Sequence, residues 1–412
     1  MLFLNAIELF NDPIGSYIYM ERYVNNGSPS GWHKRSTSPE TNPFTGAERF
    51  ELLEFDDSDI ETTIFGDNEL LRRSVNYAHP DSLHSSVLSA GNRPICPSQI
   101  LVSPTSGART MLIRNGDYSN KGYLKLTYDI SRIGRVDRQL TKKHCLACLE
   151  ASKTLKEAID NNKIFSRFGI QLETSAKVSV ISFEDHIYEW GTVFREYNSY
   201  PYKNSNSILI PGFSLFGNDI HSPSGQHLIS QFIRKSGISP EEYLVDILLL
   251  IVDSYWQVVL SCGFNLELHG QNCLFELNDN YTISRIIARD MDSIDRDIPL
   301  QKELGLKSDW KCYPVMCFDE NIYYYNIRAS YMYDFKLGEY LLSPLINTVC
   351  LDFNLKPSIF AEHIKNHVRK EYLSQLPKQY FPEDNCWYMC DNTERQPGQR
   401  RKYYANENPK YR

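Results

Sequence analysis

The sequence predicts an α+β fold, in which antiparallel sheets come first and a helical part follows. Between residues 99 and 197 several runs alternate apolar and polar residues, as half-buried strands do, and turn-type residues join them. A Gly/Pro/Ser-rich stretch at 211–225 interrupts this pattern, and helical segments follow at 227–235 and 240–262. We therefore divide the chain into an irregular N-terminal lobe (1–95), a β-rich lobe (96–210), a helical and β-hairpin lobe (211–390) and a polar, flexible tail (391–412).

Length and composition exclude several classes of protein. With 412 residues, 42% of them hydrophobic, the chain is long enough for two or three domains and can bury a large core. Its formal net charge of -7 argues against nucleic-acid binding, since no long basic stripe precedes the tail. The apolar start lacks a basic region and is interrupted by Asn5 and Glu8, and the apolar run at 247–252 is too short to cross a bilayer. We therefore expect a cytoplasmic protein without membrane contact.

The first two lobes contain the first candidates for a binding site. In the N-terminal lobe, polar clusters at 31–35 and 77–80 either face a site or are surface loops. The β-rich lobe begins with a strand, a Pro-Thr-Ser-Gly turn and a second strand, with Ser106 in the turn and Arg109 beside it. A turn of this composition offers N–H groups and hydroxyls that can bind phosphate, although it is also an ordinary hairpin turn.

A basic cluster follows the next strand. Lys125 lies in that strand, and the segment 131–138, which ends at Arg138, adds three arginines. Local positive charge in an acidic chain indicates an anionic ligand, either a phosphate or a polycarboxylate, and a solvated basic face is the alternative. A helix is predicted next, at 141–162.

The segment 266–292 follows a helix whose two ends are well defined, with Ser239 as its N-cap and Gly263 at its end. It contains two strand-like runs separated by the turn-type residues 278–280, which predicts a hairpin. Polar side chains would meet at its open end: Glu267, His269, Gln271, Asn272, Arg289, Asp290 and Asp292. Amide and carboxylate oxygens are ligands of Mg²⁺, and an imidazole and a guanidinium beside them could hold a metal-bound triphosphate.

These residues resemble the motifs of the siderophore synthetases that work independently of non-ribosomal peptide synthetases, the IucA/IucC family. Residues 267–272 and 289–290 match the family's E-x-H-x-Q-N and R-D signature. Residues 105–110 resemble its Ser-x-Arg-Thr motif, and His79-Pro80 resembles the His-Pro that precedes it. Lys125-Leu126 with Arg138 resembles the Lys-Leu…Thr-Asn-x-x-Arg strand, and Arg195-Glu196 falls where the family has Arg-Glu.

The resemblance implies a hand-like, multi-lobe α+β fold and an ATP-dependent ligase. Such an enzyme adenylates a carboxylate, most often of citrate, releases pyrophosphate, and joins the acyl group to an amine or hydroxyl. ATP and Mg²⁺ are the implied cofactors, and a homodimer is an expected assembly. The residues so assigned are, as catalytic, His269, Arg138 and Lys125; as nucleotide-binding, Ser106, Arg109, Thr110, Asn272, Asp290 and Arg289; and as metal-binding, Asn272, Asp290 and Glu267.

The chain departs from the family pattern in ways that leave two other functions open. Gly107 replaces the motif's serine, Gly134-Arg135 replaces its Thr-Asn, and no good match exists to the family's N-terminal Gly-His-Pro…Lys motif. A catalytically impaired member that acts as a binding or partner subunit is therefore one alternative. The other is a small-molecule phosphotransferase, because an Asn and an Asp on neighbouring strands also describe a kinase metal site.

Overall fold

The structure is a computed structural model. It describes residues 5–25, 38–89, 94–107, 109–129, 139–203, 207–306, 317–318, 325–377, 380–381, 385–390 and 402–412. Several predictions lie outside these residues: the cluster at 31–35, the basic segment at 131–138 with Arg138 and Gly134, and residues 391–401 of the tail.

The predicted α+β class is confirmed, with helices and several largely antiparallel sheets. The strands, numbered along the chain, are β1 (Phe50–Asp56), β2 (Thr62–Phe65), β3 (Val75–Ala78), β4 (Ile95–Pro104), β5 (Thr110–Ile113), β6 (Gly122–Leu126), β7 (Phe168–Ile170), β8 (Glu173–Phe183), β9 (His186–Glu196), β10 (Ile208–Pro211), β11 (Phe264–Asn265), β12 (Cys273–Leu277), β13 (Ile283–Ala288), β14 (Asp295–Asp297), β15 (Cys317–Phe318), β16 (Cys386–Cys390) and β17 (Tyr403–Glu407).

The α-helices of the described residues are α1 (Pro13–Tyr23), α2 (Ser86–Ser89), α3 (Lys142–Asp160), α4 (Gly212–Phe216), α5 (Leu228–Ser236), α6 (Pro240–Cys262), α7 (Ile298–Glu303), α8 (Tyr325–Ser330), α9 (Ser343–Phe353) and α10 (Pro357–Glu371). Short 3₁₀ turns occur at Pro80–His84, Met291–Ser293 and Leu373–Gln375, and a π-helix occupies Tyr331–Leu342.

Eight strands form the large sheet, in the order β2-β8-β9-β6-β5-β4-β1-β3, and every neighbouring pair is antiparallel. The pairing of its strands brings two cationic residues to the middle of the sheet. Lys125 of β6 lies opposite Thr110 of β5, and Arg195 of β9 lies opposite Glu173 of β8. Because β1, β2 and β3 belong to this sheet, it crosses the lobe boundary predicted at residue 95.

The predicted hairpin is present in a second sheet of order β10-β12-β13-β7. Strands β12 and β13 pair antiparallel, and the turn closes where the Asn278 N–H donates to the Thr282 carbonyl at 2.9 Å. The last pair at the other end is Cys273 opposite Ala288. The polar residues that precede β12 and follow β13 therefore share the open end of the hairpin.

Helix α6 is the central helix of the main core, and its ends are those predicted. The Ser239 hydroxyl accepts from the N–H of Glu242, Pro240 takes the first position, and Gly263 has a left-handed φ of 65°. A side chain at Gly263 would also collide with Gln301, so glycine suits this position on both counts. By length and composition α6 is the one described helix that could cross a membrane, but most of it is buried inside the protein.

The tail prediction is wrong for residues 402–412. Strand β17 pairs along its whole length with β16, and the side chain of Arg412 is buried. The polar composition of this segment suggested flexibility, but tertiary contacts with the π-helix and β16 order it.

We expect the substitution Phe275→Ala to lower the free energy of unfolding by about 3–5 kcal/mol, because it empties a fully buried site between the hairpin and the main core. Ile187→Ala, on a side chain that is 75% exposed, is the matched control and should change it by less than about 0.5 kcal/mol. Urea unfolding followed by circular dichroism measures both. Equal effects would show that the hairpin does not pack into this core.

Candidate functional site

The site is built where the open end of the hairpin meets the large sheet. At that end the Arg289 N–H donates to the Asn272 carbonyl at 3.0 Å, which holds the two polar segments together. The chain then turns sharply, because Asp290 adopts a left-handed conformation with φ of 73°. This turn carries Asp290 and Asp292 towards β6 and β9 of the large sheet.

Six charged side chains form what we call the ion-pair cluster: Lys125, Arg195, Arg109, Asp290, Asp292 and Glu173. Lys125 Nζ lies 2.5 Å from Asp290 Oδ1 and 2.7 Å from Asp292 Oδ1. An Arg195 nitrogen lies 2.7 Å from both Asp290 Oδ1 and Glu173 Oε1. Arg109 completes the cluster, 3.4 Å from Asp292 Oδ2.

Contacts within the cluster shift the pKa values of Asp290 and Lys125. Burial by itself would raise the pKa of Asp290, but the charges of Lys125 and Arg195 hold it well below its ordinary value. Burial would likewise lower the pKa of Lys125, and Asp290 and Asp292 hold it above its ordinary value. With three cations and three carboxylates, these six side chains sum to a formal charge of zero.

The Pro-Thr-Ser-Gly turn at 104–107, which we call the phosphate-type turn, lies beside this cluster. The Thr105 hydroxyl donates to the Thr110 carbonyl at 2.6 Å and accepts from the Gly107 N–H at 3.3 Å. A Cβ placed on Gly107 would lie 3.8 Å from the side-chain nitrogen of Gln271, so the turn faces the hairpin. The sequence motifs at 105–110 and 267–272 thus form one site.

Glu21 of α1 is a site residue that the sequence analysis missed. Its carboxylate accepts from the N–H and hydroxyl of Ser106, at 3.0 and 2.7 Å, and from Arg289 at 2.5 Å. The Tyr17 hydroxyl lies between them, donating to Glu21 at 2.9 Å and accepting from Arg289 at 2.8 Å. A charged residue inside the aromatic run of α1 was the available signal, but nothing local indicated its partners.

The contact of Ser106 and Arg289 with the buried Glu21 carboxylate was not expected from the sequence. Both were predicted to bind nucleotide, and in the structure both hold the Glu21 carboxylate. Burial would raise the pKa of Glu21, but Arg289 and then Ser106 hold it below its ordinary value. The N-terminal part of the chain therefore does reach the hairpin, through α1.

A second group surrounds His269. Its Nδ1 accepts from the Gln271 N–H at 3.2 Å, so the neutral ring carries its proton on Nε2. That Nε2 lies 4.0 Å from Glu267 Oε1, and Lys336 Nζ of the π-helix lies 2.7 Å from the same oxygen. The Asn272 amide nitrogen approaches the other Glu267 oxygen at 3.5 Å. Lys336 is a second residue that the sequence analysis missed.

The charges in this group shift two pKa values. Burial lowers the pKa of His269 to about 4, with the charge of Glu267 opposing that shift and the charge of Lys336 adding to it. For Glu267, burial would raise the pKa, but Lys336 and His269 bring it to about 2. At neutral pH the site therefore presents a neutral Nε2–H donor beside a Glu–Lys ion pair.

One other predicted position, His79, does not join the hairpin in the structure. His79 is buried against Phe50 and Tyr128, and its Nδ1 accepts from the Asp81 N–H at 3.1 Å. Arg138 lies outside the described residues, so its placement beside His269 stays a prediction.

The predicted metal ligands Glu267, Asn272 and Asp290 have the hard oxygen atoms that Mg²⁺ prefers. In the structure Glu267 is paired with Lys336, and Asp290 with Lys125 and Arg195. Among the described residues no three His, Cys, Asp or Glu side chains are grouped to hold a metal. This arrangement fits a Mg²⁺ that arrives on phosphate oxygens and takes one or two protein ligands, and it does not fit an all-protein metal cage.

Comparison with known proteins identifies the fold. No protein-family model matches the chain, and no curated protein sequence matches it significantly. Solved structures do match. The petrobactin biosynthesis protein AsbB from Bacillus anthracis str. Sterne aligns with a TM-score of 0.67 and 16% identity, over 88% of this chain and 68% of AsbB.

Two aerobactin synthetases from a hypervirulent Klebsiella pneumoniae pathotype align similarly. ATP-bound IucA has a TM-score of 0.64 and 12% identity, over 98% of this chain and 80% of IucA. IucC has a TM-score of 0.59 and 15% identity, over 86% of this chain and 67% of IucC. The chain therefore has the fold of the siderophore synthetases that work independently of non-ribosomal peptide synthetases, as its motifs predicted.

We expect the pKa of His269 to move in opposite directions in two variants. Lys336→Met removes a charge that lowers this pKa and should raise it above about 4, whereas Glu267→Gln removes a charge that raises it and should lower it further. Histidine NMR titration measures both, with Lys410→Met, which removes an exposed ion pair to Glu339, as the control. Shifts of the same sign in the two variants would contradict the described geometry.

Proposed function

We propose that this protein, which has the fold of the siderophore synthetases described above, is an ATP-dependent ligase of that type. In the first step a carboxylate oxygen of citrate or a similar polycarboxylate attacks the α-phosphorus of ATP, and pyrophosphate leaves. In the second step an amine or hydroxyl attacks the acyl carbon, loses its proton, and releases AMP. The products are an amide or ester, AMP and pyrophosphate.

One observation supports the proposal: the ion-pair cluster and the His269 group both lie at the open end of the hairpin. Lys125, Arg195 and Arg109 supply fixed cations on one side. On the other side His269 and Lys336 supply a neutral N–H donor and a further cation. Adenylation needs both, because negative charge develops on the α-phosphate oxygens and on the leaving pyrophosphate while an anionic acid must be held beside an anionic triphosphate.

The ion-pair cluster is suited to hold phosphates by exchange of partners. A phosphate oxygen that binds Lys125 or Arg195 replaces a contact to Asp290 and leaves that carboxylate available for another cation. Because the six side chains sum to zero charge, a triphosphate needs added positive charge, which fits Mg²⁺ held by Asp290 and Asn272. When bound, Mg²⁺ would neutralise charge on the phosphate oxygens and on departing pyrophosphate.

The His269 group is suited to the acid. The Nε2–H of neutral His269 can donate to an oxygen of the attacking carboxylate or of the α-phosphate without adding a proton to the nucleophile. The ammonium group of Lys336 can exchange its partner Glu267 for a carboxylate of the acid substrate, since it already binds one carboxylate at 2.7 Å. Both side chains act by orientation and charge, and no covalent enzyme intermediate is required.

We expect purified protein with MgATP and citrate to form AMP and pyrophosphate, with hydroxylamine trapping the activated acid as a hydroxamate. His269→Asn should lower kcat by about 10²–10³-fold, because asparagine can keep the acceptor for the Gln271 N–H but loses the Nε2–H donor. His186→Asn, at an exposed strand end, is the matched control. Product analysis by liquid chromatography measures both variants after thermal unfolding confirms that they fold.

The products decide between the three functions. ADP in place of AMP would show a phosphotransferase. Failure to form either product across a panel of polycarboxylates, together with no nucleotide binding by calorimetry, would instead indicate a binding or partner subunit.

We expect Gly107→Ser, which restores the family's motif, to lower the KM for ATP by about tenfold, the value of one hydrogen bond to a charged group. The substitution fits, because a Cβ at Gly107 meets no atom closer than 3.5 Å. Gly107→Ala adds the same Cβ without the hydroxyl and should leave KM unchanged. If serine and alanine act alike, the hydroxyl at this position does not contact the nucleotide.

A further inference from the structure

The π-helix carries Lys336 on one side and is held on the opposite side by the segment Lys410–Arg412. Arg412 Nε lies 3.1 and 2.9 Å from the two carboxylate oxygens of Asp334, and another of its nitrogens donates to the Cys386 carbonyl at 2.5 Å. Its guanidinium also stacks on the Phe381 ring, 4.0 Å from the centroid. Arg412 and Asp334 are both buried.

Tyr411 extends this contact along the π-helix. Its carbonyl accepts from the Tyr333 hydroxyl at 2.9 Å, and its own hydroxyl lies 2.7 Å from Ser343 Oγ. The ring packs against Gly338, where an added Cβ would come within 3.1 Å of it. Tyr411 thus touches the π-helix near its beginning and at its middle, and also the first residue of α9.

The opposite side of the π-helix faces the site. Lys336 pairs with Glu267, and the Tyr340 carbonyl accepts from the Gly270 N–H at 3.2 Å. A π-helix is rare and usually only a single turn, and this longer one has contacts on both sides that determine where it lies. A shift of about 1 Å would take Lys336 out of hydrogen-bond range of Glu267.

We infer that Arg412 is a positioning residue, which holds the π-helix through Asp334 so that Lys336 meets the acid-binding side of the site. Asp334 and Lys336 lie two residues apart on one segment and bind partners on opposite sides of it. The ion pair at one side therefore fixes the ammonium group at the other. The effect of Arg412 on the KM for the acid rests on the proposed function, but its effect on the position of the π-helix does not.

The test compares Arg412→Met, Arg412→Lys and, as control, Lys153→Met, which removes an exposed ion pair to Glu157 on α3. Arg412→Met should raise the KM for the carboxylic acid substrate about tenfold, which is the value of one hydrogen bond to a charged group. The KM for ATP and the kcat at saturating acid should change by less than about twofold. Arg412→Lys should recover part of the loss. Equal changes in both KM values, or no recovery by lysine, would overturn the inference in favour of a merely structural role.

A second variant and a second readout keep the test independent of folding and of activity. Burial raises the pKa of Asp334 to about 6 even though the charge of Arg412 opposes this shift. The double variant Asp334→Asn/Arg412→Met removes both charges, so neither charge is left buried without its partner. Hydrogen exchange of peptides covering Tyr331–Leu342 should accelerate in both Arg412→Met proteins and not in Lys153→Met. Unchanged hydrogen exchange in the Arg412→Met proteins would overturn the inference. If exchange is faster in these variants but the unaltered protein forms no AMP, only the proposed ligase function is refuted.

Discussion

The contact between Asp290 and the two cations of the large sheet is the interaction on which the site depends. Lys125 and Arg195 come from neighbouring strands, and both reach one carboxylate oxygen of a residue at the end of the hairpin. The hairpin packs into the main core, whereas the two cations belong to the large sheet. This contact ties the motifs of the two sheets to each other.

Such buried charge is a weak source of stability, because removing ions from water costs nearly as much as their attraction returns. Its value here is geometric. The Glu21 pair with Arg289 has the same character, since it joins α1, the phosphate-type turn and the hairpin through one carboxylate. The carboxylates of Asp290 and Glu21 thus connect five parts of the chain, namely β6, β9, the hairpin, α1 and the phosphate-type turn.

Local signals predicted much of this structure. The ends of α6 and the hairpin followed from caps and turn residues, and the motifs at Arg109, Lys125 and Asp290 do converge. Glu21, Lys336 and Arg412 could not be found in this way, because each is defined by a partner far away in sequence. For the same reason the sheet pairing of β1–β3 was missed, and a polar tail was expected where strand β17 lies.

The zero formal charge of the ion-pair cluster has a consequence for how ligands arrive. Together with a net charge of -7 on the chain, it leaves these six residues without a long-range field that would draw in a polyanion. For the nucleotide and acid proposed as ligands, encounter would then gain nothing from long-range attraction, and selectivity would arise after contact, when carboxylates yield their cations. Added salt, which slows association at positively charged sites, should have little effect on encounter here.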